Sequence, residues 1–107
     1  MEHRTLIVAR MDAANADSVA DVFAHSDATE LPHLIGVSRR TLFRFHDLYF
    51  HLVEADREVA EQVDLARTHP LWREVDDGLR PFIRPYSPDW RGPRDAMAES
   101  FYSWSAR

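Results

Sequence analysis

An α+β fold, with strands and helices in the order β-α-β-β-α-β, is what the sequence predicts, on three observations. The chain has 107 residues, of which 45% are hydrophobic and 29% charged. That is the size of one domain and the composition of a folded, soluble one. A short apolar run at Thr5–Met11 and a long alternating stretch at Val37–Ala55 read as strands. Apolar residues at helical spacing fill Asn15–Ser26 and the region from Asp56 to Leu79.

The elements follow in order. Thr5–Met11 (T-L-I-V-A-R-M) suits a central strand, and Asp12 stops it. The first helix carries Val19, Val22 and Phe23 on one side and Asp17 and Asp21 on the other, with Asp12 or Asn15 able to cap its free amides. Leu31–Gly36 reads as a connection, because Pro32 removes an amide donor and biases Leu31 away from helix. Val37–Ala55 then folds as two strands around a two-residue turn at His46-Asp47. That turn sets Phe45 opposite Leu48, Phe43 opposite Phe50, Thr41 opposite Leu52 and Arg39 opposite Glu54, a strongly apolar face expected to be core. The other face carries Arg40, Leu42 and Arg44 beside Tyr49, His51 and Val53, too polar for core and too aromatic for plain exposure. Asp56 is a natural cap for a helix that turns Val59, Ala60, Val63 and Ala66 inward. His69 starts another helix, from Leu71 to about Leu79, with Pro70 tolerated in its first turn. Pro81–Tyr86, flanked by prolines, fits an edge strand. Residues 87–107 form a tail rich in aromatics, expected to pack on the domain or on a partner subunit.

This is the ferredoxin-like split βαββαβ order. Its helices cover one face of the sheet. A second copy of the same sheet is the economical cover for the other, which gives a homodimer of the dimeric α/β barrel type. Residues 1–107 read as one domain without linker or repeat.

Composition excludes several chemistries. With three glycines there is no glycine-rich phosphate cradle, and with no cysteine there is no thiolate nucleophile or cysteine-held metal. All thirteen basic side chains are arginine, so a lysine Schiff base is excluded. A net charge of -5, with the arginines spread among acids, does not read as a nucleic-acid surface. No stretch approaches the roughly 20 apolar residues of a membrane span, and no signal peptide is visible, which leads to the expectation of a cytoplasmic protein.

The six histidines carry the chemical information. Alternation puts His51 on the polar sheet face with Arg40 one diagonal step away. A histidine can take and return a proton near neutrality, and a nearby arginine steadies an oxygen that gains negative charge. A histidine packed inside a subunit interface is the structural alternative. His25 and Asp27 close the first helix, where the helix dipole alone explains a histidine. His33 sits in a connection and is placed to line a pocket mouth. His46 is a turn residue, His69 a helix-start residue, and His3 lies near the terminus. No H-x-H or H-E-x-x-H spacing points to a metal, and no G-x-S-x-G to a serine nucleophile.

Five linked segments carry a resemblance: R-T-L-I-V-A-R-M (Arg4–Met11), H-S-D-A-T-E-L-P-H-L-I-G-V (His25–Val37), R-R-T-L-F-R-F-H-D-L-Y-F-H-L (Arg39–Leu52), H-P-L-W-R (His69–Arg73) and P-R-D-A-M-A (Pro93–Ala98). Together they resemble the tetracenomycin-type aromatic polyketide cyclases of actinomycetes, over nearly the whole chain. The resemblance implies a ferredoxin-like dimer that uses no metal or organic cofactor. It also implies late ring closure of a poly-β-ketone by intramolecular aldol condensation, dehydration and aromatisation. The substrate is then an aromatic polyketide intermediate, free or bound to a carrier protein, and contact with synthase components is transient. Carried over by motif, the catalytic candidates are His25, Asp27, Arg40 and His51. Arg40 steadies an enolate, His51 or His25 moves protons, and Asp27 orients His25 or assists loss of water. His33, Tyr49, Trp72, Phe82 and Trp90 are the pocket candidates, the last four as apolar or aromatic walls. Two other functions fit the same fold: a cofactor-free monooxygenase acting on an anthrone-like polyketide, and a non-catalytic accessory protein of the synthase.

Overall fold

The computed structural model describes residues 3–106. Strand β1 (His3–Met11) leads into helices α1 (Ala16–Asp27) and α2 (Leu31–Ile35). The hairpin β2 (Val37–Phe45) and β3 (Leu48–Ala55) follows, then helices α3 (Val59–Ala66) and α4 (Pro70–Leu79), and last the short strand β4 (Ile83–Pro85). The strands make one open antiparallel sheet in the order β2-β3-β1-β4. The chain is thus of the mixed α+β class. Among the described residues no helix is long and apolar enough to cross a membrane.

The hairpin pairs as the alternation requires, with Phe45 opposite Leu48, Phe43 opposite Phe50, Thr41 opposite Leu52 and Arg39 opposite Glu54. His46 turns the chain with φ 56°, a left-handed conformation in which histidine is one of the better-tolerated side chains. Glu54 is shared by Arg39 at 3.7 Å and Arg4 at 3.6 Å, tying β2 to β1 across β3.

The core lies on the other face of this hairpin from the one expected. Tyr49, Val53 and Ala55 are buried beneath the helices, as is His51, whereas Phe43 and Phe45 are 50% and 62% exposed. One half of the core joins Val53 and Ala55 to Leu31 and Ile35 of α2 and to Val59 and Val63 of α3. The other half joins Tyr49, Ala9 and Met11 to Val19 and Phe23 of α1. Two facts reverse the expectation. The polar groups Arg40 and His51 satisfy one another, so their burial leaves no orphan. The small and branched residues around them fit under four helices, which the phenylalanine-rich face does not meet.

Three local expectations also change. Leu31–Ile35 is a helical turn rather than a plain connection. Pro32 sits in its first turn, where an amide donor has no intrahelical partner to lose. Gly36, at φ 89°, closes it by donating its N–H to the Pro32 carbonyl at 2.8 Å. Asp56 does not cap the next helix: it accepts from Arg57 Nε at 2.6 Å, and Glu58 precedes α3 without a side-chain cap. The proline-flanked edge strand is present but only three residues long. His69 does start α4, its Nδ1 accepting from the Leu71 N–H at 3.1 Å.

After β4 the chain returns to β1, where Met97 bridges Ile7 and the Ala98 N–H donates to the Leu6 carbonyl at 2.7 Å. Beyond that bond the tail leaves its own core. Phe101, Tyr102 and Trp104 are 97%, 78% and 74% exposed.

Candidate active site

Three elements converge on one cluster. β3 points His51 towards the helices, β2 brings Arg40 to the same face beside it, and α1 ends with Asp27 above both. Arg40 Nη1 lies 2.9 Å from His51 Nε2. A guanidinium donates and never accepts, so Nε2 is the acceptor and the neutral ring carries its proton on Nδ1. Burial and the arginine charge both push the His51 pKa down, to about 3. The imidazole is therefore neutral at any pH near 7.

Arg40 is itself held from its other edge. Its Nε donates to both oxygens of Asp27, at 3.2 and 3.1 Å, and its Nη2 donates to Oδ1 at 2.7 Å. This forked contact fixes the plane of the guanidinium as well as its charge. Phe23, one turn before Asp27, lies under the guanidinium with Cζ 4.7 Å from the ring centroid. The same ring meets the His51 ring edge-on at 5.0 Å. Exposure falls along the cluster, from 41% for the Asp27 side chain to 16% for Arg40 and 5% for His51. The carboxylate thus stays hydrated while the imidazole does not.

The remaining candidates separate. Tyr49 stands beside the cluster, its ring 6.1 Å from that of His51. Phe82 packs against the Tyr49 half of the core and Trp72 against the Val53 half. His25 is not in the cluster. Its Nε2 lies 3.1 Å from Glu74 Oε1, joining α1 to α4 at the surface. There it lines a groove of about 320 Å³ with Val22, Leu71 and Val75. His33 is exposed on α2, and Trp90 is 40% exposed in the segment after β4. Asp27, read from sequence as able to orient His25, binds Arg40 instead.

Two participants were not singled out from the sequence. Phe23 enters the sequence reading only as one of three apolar residues on one side of the first helix, yet it shares a helix face with Asp27 four residues on, a spacing that lets its ring lie under whatever Asp27 holds. Glu74 carries no such signal, because its meeting with His25 depends on how two distant helices pack.

A cluster of a buried histidine kept neutral by an arginine, itself pinned by a carboxylate, has the groups that acid–base chemistry requires. It can polarise a carbonyl oxygen through Arg40 and exchange protons at the imidazole. Comparison with known proteins gives the chain its family. Residues 3–105 match the polyketide synthesis cyclase family. The chain is 53% identical over 106 residues to tetracenomycin F2 cyclase of Streptomyces glaucescens, covering 99% of this chain and 97% of that protein. It is 43% identical over 103 residues to the polyketide synthase CurG of Streptomyces cyaneus, covering 95% and 96%. A solved structure of the tetracenomycin F2 cyclase, a type-II polyketide cyclase, superposes with a TM-score of 0.93 at 52% identity, covering 98% of this chain and 99% of that one. The chain belongs to the polyketide synthesis cyclase family and is an enzyme.

Proposed function

We propose that this enzyme performs a late, regiospecific ring closure on an aromatic polyketide intermediate by intramolecular aldol condensation, dehydration and aromatisation, with Arg40, His51 and Asp27 as its reaction centre. The contact of Arg40 Nη1 with His51 Nε2 at 2.9 Å is the observation that carries this reading.

A methylene between two carbonyls is acidic enough to yield its proton to a weak base. A substrate ketone oxygen that accepts from Arg40 competes with Nε2 for the same donor, so binding frees the imidazole lone pair. His51 then takes the methylene proton while Arg40 steadies the enolate oxygen. The enolate carbon attacks a second carbonyl of the same chain and forms the new carbon–carbon bond. An imidazolium beside a guanidinium is a strong acid, so His51 returns its proton to the alkoxide, which becomes a hydroxyl. Loss of that hydroxyl with a neighbouring proton, as water, completes the aromatic ring. Asp27 keeps Arg40 in plane throughout. Regiospecific closure also requires the substrate to be held folded so that one carbon meets one carbonyl. His25, in this reading, holds α4 to α1.

The same features support a reading of the assembly. The strand order, with α1 and α2 before the hairpin and α3 and α4 after it, fits one ferredoxin-like domain spanning residues 1–107. The exposed Phe43 and Phe45 face supports a homodimer built sheet to sheet, and the extended tail supports packing on the partner subunit.

The test is the product profile of a reconstituted aromatic polyketide pathway, with and without this protein, in air and without oxygen. A new ring system differing from its precursor by loss of water, formed without oxygen, is expected. A product that gains oxygen only in air would assign a monooxygenase instead. An unchanged profile would leave an accessory role.

A further inference from the structure

Tyr49 does more than wall the pocket. Its residue is 3% exposed, yet its hydroxyl has no hydrogen-bond partner among the described residues. No buried side-chain polar atom there lacks a partner, so this hydroxyl must be reached from open space rather than sealed in the core. The open space is present. Tyr49 lines a cavity of about 240 Å³ between α1 and the sheet, walled by Met11, Val19 and Leu42, with the exposed Asp17 and Arg44 beside them. Burial pushes the phenol pKa well above its usual value, against a smaller opposing effect of the Arg40 charge, so the group remains a donor at any working pH.

From this geometry we infer that the Tyr49 hydroxyl donates to a second oxygen of the substrate, one strand repeat from His51, and so sets which carbon closes the ring. The inference rests on the polyketide reading above. His51 and Tyr49 are two positions apart on β3, point to the same side of the sheet, and sit roughly 7 Å apart along the strand. A poly-β-ketone carries an oxygen on every second carbon. Several oxygens of one chain therefore fall within the roughly 7 Å span, and a second donor there holds a different oxygen of that chain while the first sits at Arg40. Losing a hydroxyl that no described protein group partners costs the fold no hydrogen bond, so a functional loss on its removal reads as a lost contact with substrate.

The experiment compares wild type with Tyr49→Phe, which keeps the ring and the fold. Binding of a trihydroxyanthraquinone, a rigid stand-in for a cyclised polyketide, is read by quenching of tryptophan fluorescence. Thermal unfolding, KM, kcat and the ratio of ring-closure products are measured beside it. The expected result is a melting temperature equal to or above wild type and binding weaker by roughly fivefold to tenfold, the size of one lost hydrogen bond. KM rises more than kcat falls, and misclosed products appear. Unchanged binding, KM and product ratio would overturn the assignment, as would a wild type that does not bind the probe. A wild type that binds the probe in a Tyr49-dependent way but closes no ring would overturn the cyclase reading and still support the donor.

Discussion

His51 and His25 have the same side chain, each within 3.1 Å of a charged partner, and they have opposite surroundings. His51 is 5% exposed and faces a cation, whereas the His25 side chain is 75% exposed and faces a carboxylate. A cation in a dry setting suppresses protonation and makes any imidazolium that forms a strong acid. A carboxylate at a wet surface makes a contact that water and salt weaken. The difference separates the two roles proposed for them: the enclosed histidine is the one assigned to proton transfer, and only one of these two is enclosed.

The widest expected gap between them is catalytic. His51→Asn, which keeps a polar group of similar reach, is expected to lower the rate of ring closure by roughly a hundredfold to ten-thousandfold, the usual worth of general acid–base catalysis, with the circular dichroism unchanged. His25→Ala is expected to change that rate by less than about threefold, since it removes a surface contact between α1 and α4. Equal losses in the two variants would erase the distinction.

A smaller effect is expected in stability against pH. The unfolded chain's His51 titrates near ~6.5, and the folded one at about 3. Between those values the unfolded state binds more protons, so stability rises with pH across that window and is lost as pH falls through it. The slope from this one residue approaches at most about 1.4 kcal/mol per pH unit. Urea unfolding at several pH values is expected to show that contribution in wild type and to lack it in His51→Asn. His25→Ala is expected to leave it in place.

Much of this site was legible because strands have a period of two. Once His46-Asp47 was read as a two-residue turn, every cross-strand pair followed, and Arg40 fell beside His51 on one face. Which face the helices cover was not legible. Counting apolar residues favours the side with Phe43, Phe45 and Phe50, whereas the actual core uses Tyr49, Val53 and Ala55 around a polar pair. Only the mutual satisfaction of Arg40 and His51, completed by Asp27 from α1, makes that burial tolerable. Such a three-way contact joins segments that sequence spacing does not relate. The partner of His25 was illegible for the same reason: Glu74 lies 49 residues away, and helix packing alone brings it close. Asp56 misled as a cap because its neighbour Arg57 took the carboxylate first.

The proposed mechanism requires one protonation state and tautomer of one ring, and nitrogen-15 NMR of the histidine side chains reads both directly. Across pH 5 to 8, His51 is expected to stay neutral, with its proton on Nδ1 and its Nε2 accepting from Arg40. A His51 that titrates near its ordinary ~6.5, or that carries its proton on Nε2, would contradict the arrangement from which the mechanism was built.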